Sequence, residues 1–349
     1  MIIQFRFPEY SFSYGFIAIV CSLAIIPLAI RITRNLGLLD IPGKFAHKIH
    51  NKPVPLAGGT ALVMSLILLS IVLGLWKDAF IRVLLIASII VYFFGLLDDI
   101  YGLSAVFKLT GQIIASLILV FSNVSVHFIS SIQLPFLSPV VVEWLDTFLT
   151  LFWLIGVTNA MNMIDSMDGI AIGLCGIAFL FFVLVTSLSG QENLTEISIL
   201  LLGISVGIYY YNVTPARLFL GDSGSQTFGF LLSAIAMEYA PIGLHPTSSW
   251  FVPILLVGMP IFDTTLVVYS RVRRRLPIYK ANLDHTYHQL LKFGFDETRA
   301  VLVIHITAIL LSLTAFVTFY LSPLVANAIF GLIVVAGIII IIILDRNSL

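Results

Sequence analysis

The chain has 349 residues, 59% of them hydrophobic and 10% charged, with 18 Lys and Arg balanced by 18 Asp and Glu and a mean hydropathy of +1.08. Soluble domains carry roughly 45–50% apolar and 25% charged residues, so a water-soluble globule is excluded and a polytopic membrane protein is implied. The net charge of zero says little, because the charges are sorted by side rather than absent.

A span needs about 20 mostly apolar residues to cross a hydrocarbon core of roughly 30 Å. Eleven stretches qualify, near 13–33, 55–75, 80–97, 106–123, 145–160, 169–188, 195–212, 226–243, 250–270, 300–320 and 323–344. Residues 1–349 therefore read as a single all-α integral-membrane domain, with no repeat or linker dividing it. Lys and Arg accumulate in cytoplasmic loops. Threading the spans with the N-terminus outside puts every basic residue except Arg6, Lys77 and Arg82 on one side, which predicts a cytoplasmic C-terminus. The opening MIIQFRFPEY lacks the cationic region and cleavage site of a signal peptide, so the first span is expected to be retained. Cys21 and Cys175 fall inside spans, without metal-ligand spacing, and read as small core residues.

Loop one, Leu38 to Gly59, combines Lys44, Lys48 and Lys52 with His47 and His50, three prolines and the Gly58–Gly59 pair. Prolines fix φ and glycines admit close backbone approach, so the loop can present charge in a set shape. A positive anchor for anionic lipid headgroups fits as well. Loop two opens on Asp98 and Asp99 at the C-terminal end of a span, where the helix dipole disfavours negative charge by roughly 0.3–1 kcal/mol. A Mg²⁺ ion, a cation from another loop, or proton uptake by one carboxylate would each compensate. The outside segment after the fourth span alternates over Val124–Ile132 and then carries Pro135 and Pro139, a pattern that predicts a short hairpin on the outer surface.

Loop three, NAMNMIDSMDGIAIG, carries Asn159, Asn162, Asp165 and Asp168 at intervals of three, so neighbours share a face if the segment is helical. Two amides and two carboxylates can read a nucleoside and hold a metal, or form a hydrogen-bonded helix seam. Loop four sets Asp222 between Gly221 and Ser223, near a helix N-terminus suited to a metal-bridged phosphate, with Phe219 three residues earlier as a stacking surface. A plain N-cap explains the same pattern. Loop five holds Arg271, Arg273, Arg274 and Arg275, then Asp284, His285 and His288. The arginines read as a phosphate-binding or stop-transfer cluster, and the two histidines can share a helix face and donate to phosphate oxygens. Asp263 would lie roughly 12 Å deep along a helix, which is costly unless it is paired or faces water.

Together these loops supply carboxylates, histidines, guanidiniums and an aromatic at one interface of an apolar bundle, as phosphoryl-type transfer to a membrane-dissolved acceptor requires. GLLDD (Gly95–Asp99), NAMNMIDSMDG (Asn159–Gly169), FLGDSGS (Phe219–Ser225), DIPGKFAHKIHNKPVPLAGG (Asp40–Gly59) and DHTYH (Asp284–His288) resemble the motif series of the polyprenyl-phosphate N-acetylhexosamine-1-phosphate transferases, glycosyltransferase family 4. That family includes the peptidoglycan translocase and the enzymes that start O-antigen and teichoic acid linkage units. The resemblance implies a multi-pass enzyme of the bacterial cytoplasmic membrane with its active site on the cytoplasmic face. It would transfer a sugar-1-phosphate, N-acetylglucosamine-1-phosphate foremost, from a UDP-sugar to undecaprenyl phosphate, releasing UMP with Mg²⁺, or Mn²⁺ in its place.

By the same resemblance Asp222 and Asp165 ligate the metal, and Asp98, Asp99, Asp165, His285 and His288 are catalytic. Lys48, His50, Lys52, Asn159, Asn162, Asp168, Phe219, Arg271, Arg273 and Arg274 would bind the substrates. No nucleic-acid partner is expected, and a homodimer is compatible with the resemblance. Tyr287 stands where many members carry a middle histidine, and His47 where an arginine is common, which bears on sugar specificity. A prenyltransferase would need paired Asp-X-X-Asp motifs, whereas position 102 is glycine and Asp165–Asp168 is a single pair. An ion-coupled transporter would need ionisable groups near the midplane.

Overall fold

The computed structural model describes residues 7–9, 11–41, 53–132, 137–241, 249–277 and 284–346. Among them the protein is helical apart from one small strand pair. The helices are α1 (Ser11–Asn35), α2 (Gly58–Val72), α3 (Ala79–Tyr101), α4 (Ala105–Phe121), α5 (Phe128–Ile132), α6 (Pro139–Ile164) and α7 (Ile170–Leu188). They continue with α8 (Glu192–Asn212), α9 (Gly221–Glu238), α10 (Val252–Leu256), α11 (Gly258–Arg273), α12 (Thr286–Lys292), α13 (Glu297–Val317) and α14 (Pro323–Arg346).

Each of the eleven predicted apolar stretches contains a helix. Seven helices, α1, α3, α6, α7, α8, α13 and α14, are long and apolar enough to cross a membrane, α13 being counted with its short extension to Tyr320. This is a multi-pass membrane protein. α2, with 15 residues, and α11, with 16, reach only about 22–24 Å at 1.5 Å per residue, less than a full span. α9 opens with the polar run GDSGSQT.

Burial separates the centre of the bundle from its rim. Some 72% of the apolar window of α7 and 67% of that of α8 is buried, against 11% for α14. α9 is more enclosed still, with every residue from Ser223 to Ala236 buried. A helix that is polar at one end can lie there only if its polar groups are satisfied internally. Glycines let its neighbours come close: a Cβ on Gly95 of α3 would stand 2.6 Å from Ser223 Cα, and one on Gly59 of α2 would stand 2.5 Å from Ser223 Oγ.

The strand pair joins loops that are distant in sequence. β1 (Leu39–Asp40) runs antiparallel to β2 (Val54–Pro55), with Leu39 opposite Pro55. Leu56 bridges in parallel to Phe219, whose carbonyl accepts from the N–H groups of Ala57 and Gly58. The start of α2 is thereby tied to the start of α9. Of the hairpin expected after the fourth span, the described residues 124–132 form no strand. Residues 128–132 make α5, because the Asp146 carboxylate accepts from Ile129 N at 2.7 Å and Ser130 N at 3.1 Å and so caps that turn.

Candidate active site

The end of α3 and the start of α9 are locked together by a carboxylate. Asp99 accepts from the backbone N–H of Asp222 at 2.8 Å and of Ser223 at 3.1 Å, satisfying two donors that a helix N-terminus leaves open. The negative charge that the α3 dipole disfavours is thus placed against the positive end of α9. Gly221 makes room for it, with φ at +69° and a Cβ position only 2.7 Å from Asp99 Oδ2.

Asp98 is buried and meets a different compensation. Its Oδ1 accepts from Leu103 N at 2.6 Å, and its Oδ2 lies 2.6 Å from Lys108 Nζ, on the first turn of α4. The same ammonium is 3.1 Å from Asp222 Oδ2. Two compensations other than those expected are present: a cation of the same loop, Lys108, for Asp98 and a helix N-terminus for Asp99. Sequence reasoning assigned Lys108 no role, although a lysine among the apolar residues of α4 was a signal that it has partners.

α6 ends at the same place. Asn162 Nδ2 donates to Asp222 Oδ1 and, at 2.8 Å, to Ser225 Oγ. Asn159, three residues earlier, faces the bundle interior instead, with Nδ2 2.7 Å from Gln112 Oε1. Asp165 follows the last turn of α6. Burial, then the charges of Asp222, Asp168 and Asp99, push its carboxyl up to about 8. Asp168 Oδ2 accepts from Ala216 N at 3.2 Å, and Gly169 N donates to Asn212 at 3.0 Å. These bonds join loop three to loop four.

A second cluster forms where α11 meets α12. Asp263 is fully buried; its Oδ2 is 2.8 Å from His285 Nδ1 and its Oδ1 accepts from Thr286 N at 2.6 Å. The rings of His285 and His288 are 6.3 Å apart, and Tyr287 packs edge-on to His288 at 5.3 Å. Burial, then Glu297 and Asp168, push the Tyr287 hydroxyl up to about 12. The field of Asp168 on Tyr287 brings loop three within electrostatic reach of this segment.

The arginines expected to bind phosphate are engaged with carboxylates. Asp284 lies 3.5 Å from Arg271 Nε and 3.1 Å from Arg274 Nη1. Asp345, near the end of α14, lies 2.5 Å from Arg273 Nε and 3.2 Å from Arg274 Nη2. Phe219 is half-buried, its backbone held by residues 55–58. Lys48, His50 and Lys52 lie outside the described residues.

Among the described residues no three His, Cys, Asp or Glu side chains stand as a ready metal cage. The donor set nevertheless fits a hard divalent cation. Asp98, Asp165 and Asp222 offer oxygen ligands, Lys108 is the ammonium between two of them, and Asp165 feels the negative charge of its neighbours. Mg²⁺ is commonly held by one or two carboxylates completed by substrate phosphates and water, so a full protein cage is not required.

The chain is similar to known proteins along most of its length. Residues 81–240 match the family model for glycosyl transferase family 4. Over 305 residues, 86% of this chain and 83% of the relative, the protein is 30% identical to the probable undecaprenyl-phosphate N-acetylglucosaminyl 1-phosphate transferase of Bacillus subtilis. It is 29% identical to the decaprenyl-phosphate N-acetylglucosaminephosphotransferase of Mycobacterium tuberculosis, covering 92% of this chain and 85% of that one. It is also 27% identical to a phospho-N-acetylmuramoyl-pentapeptide-transferase of Staphylococcus aureus, covering 84% and 94%.

Proposed function

This chain belongs to the polyprenyl-phosphate N-acetylhexosamine-1-phosphate transferases, glycosyl transferase family 4, and we propose that it moves N-acetylglucosamine-1-phosphate from UDP-N-acetylglucosamine to undecaprenyl phosphate. An oxygen of the lipid phosphate bonds to the sugar-proximal phosphorus of the nucleotide. The phosphoanhydride bond breaks, and UMP leaves with the electron pair. A phosphomonoester with a second pKa near 6 is largely ionised at pH 7, so the nucleophile needs positioning more than deprotonation.

The observation that carries this reading is the meeting of Lys108 with Asp98 and Asp222, beside Asn162 and Asp165, at the joint ends of four helices. Asp222 and Asp165 would hold Mg²⁺, which when bound neutralises diphosphate oxygens and the charge that develops on the leaving group. Lys108 supplies further positive charge at the same place. Asp98 orients that ammonium and faces the lipid phosphate, and Asp99 sets the height of Asp222 by holding the α9 backbone. His285, oriented by Asp263, and His288 would bind phosphate and sugar. Asn162, Asp168 and Phe219 would contact the uridine.

The sorting of Lys and Arg supports eleven passes, an outside N-terminus, a cytoplasmic C-terminus and an active site on the cytoplasmic face. The N-acetylglucosamine named for the Bacillus and Mycobacterium relatives favours that donor over the muramoyl-pentapeptide one, as does the His-Thr-Tyr-His run of this chain. The product would open the synthesis of a cell-envelope polysaccharide. The test is UMP release by purified protein supplied with Mg²⁺, undecaprenyl phosphate and each of a panel of UDP-N-acetylhexosamines. Release that needs the lipid and is specific to the N-acetylglucosamine donor supports the proposal, and lipid-independent release or none would overturn it.

A further inference from the structure

Beneath the charged groups lies a second layer built from the same three helices. Gln112 sits one turn after Lys108 on α4, Gln226 one turn after Asp222 on α9, and Asn159 one turn before Asn162 on α6. On each helix the step is three or four residues, so each amide lies about 4.5–6 Å deeper along the same helix face. The upper groups meet at Asp222 on α9, and the three amides meet at Gln112 on α4. Gln112 Nε2 donates to Gln226 Oε1 at 3.0 Å, and Asn159 Nδ2 donates to Gln112 Oε1 at 2.7 Å and to the Ile155 carbonyl at 2.8 Å. Gln112 is 2% exposed and Gln226 1%, so these bonds form away from water, where an unmet amide is costly.

We infer that Gln112, Gln226 and Asn159 are positioning residues that set the register in which Lys108 and Asn162 meet Asp222. α9 packs closely on α6, where a Cβ on Gly229 would stand 2.9 Å from Thr158 Cα, and the amides add directional bonds to that non-directional contact. A shift of about 1 Å would separate an ammonium from two carboxylates that it now meets at 2.6 and 3.1 Å. Hydrogen bonds between amides tolerate no such shift. Asn159, expected to touch the substrate, acts one layer below it, and Gln112 and Gln226 carry a role that no motif reading assigned. The inference rests on the transferase reading for its catalytic consequence, though not for its structural one.

The experiment uses full-length protein in detergent, with two variants. Gln112→Met combined with Gln226→Met keeps side-chain volume and removes both amides, a change that is close to neutral for packing. Gln112→Asn keeps an amide but is one methylene too short to reach Gln226. For each, thermal unfolding, the Mg²⁺ dissociation constant by titration calorimetry, and kcat and donor KM are measured. The expected result is melting close to the parent, with the Mg²⁺ constant shifted, kcat lower by about 10-fold or more and donor KM little changed. If either folded variant keeps the parent's Mg²⁺ constant and kcat, the layer is only a packing seam and the inference fails. If the methionine pair does not fold, Gln112→Asn decides. If the parent itself releases no UMP with any donor, the transferase reading fails, while the Mg²⁺ titrations still decide this inference.

Discussion

Asp99 holds Asp222 by its backbone and leaves its side chain free for other partners: Asp222 N donates to Asp99 Oδ1 at 2.8 Å, while the Asp222 carboxylate turns to Lys108 and Asn162. The two aspartates therefore do different work within one contact, and their variants separate. Asp99→Ala strips a helix N-terminus of two acceptors and should lower stability by about 1–2 kcal/mol as well as activity. Asp222→Asn leaves the backbone bonds intact and should abolish turnover over a wide Mg²⁺ range with little change in melting. Thermal unfolding run beside UMP release distinguishes them, and near-normal turnover by Asp222→Asn would remove its metal role.

Lys108 sits where a cation is needed between Asp98 and Asp222. Lys108→Gln should reduce kcat by about 100-fold, the scale of losing one preorganised charge at a transition state. Mg²⁺ should bind more tightly to this variant, because a competing positive charge has gone. Calorimetric titration checks the second outcome independently of activity.

The Asp165 carboxyl titrates near 8, raised by burial first and then by Asp222, Asp168 and Asp99. Below that pH the metal-free protein holds the proton, and a metal must displace it. Mg²⁺ affinity should therefore strengthen as pH rises from about 6 to 8 and level off above, with a proton released per ion bound in the lower range. Asp165→Asn should flatten this dependence. A parent whose affinity is constant across the range would contradict the assignment.

The buried Asp263 carboxylate engages both His285 Nδ1 and Thr286 N, fixing which ring nitrogen is presented outward. Asp263→Asn should cost about 10–100-fold in turnover. Combining it with His285→Ala should add little to the histidine variant alone, because both act through one ring. A fully additive double variant would show that Asp263 serves α11 rather than the histidine.

The helical architecture was legible because apolar runs of span length leave few alternatives, and the cluster of Asp98, Asp99, Asp165 and Asp222 was legible because charge is rare in this chain. Partnership was not. Nothing local in Arg271, Arg273 or Arg274 distinguishes a phosphate ligand from a partner of Asp284 or Asp345, the second of which follows them by about seventy residues. Asn159 and Asn162 look alike in sequence; helix rotation sends one to Gln112 and the other to Asp222. The alternation in Val124–Ile132 was a true local signal, outweighed by the capping carboxylate of Asp146.

The ion pairs from Arg273 and Arg274 to Asp345 also order events in time. Membrane helices emerge from the ribosome in sequence, and α14 is the last of those described. Until it has been made, Arg273 lacks its carboxylate and Arg274 keeps only Asp284, which also holds Arg271. α14 thus closes onto a site whose aspartate and histidine contacts are all supplied by helices made before it, and the pairing with Asp345 clasps the arginine end of α11 last.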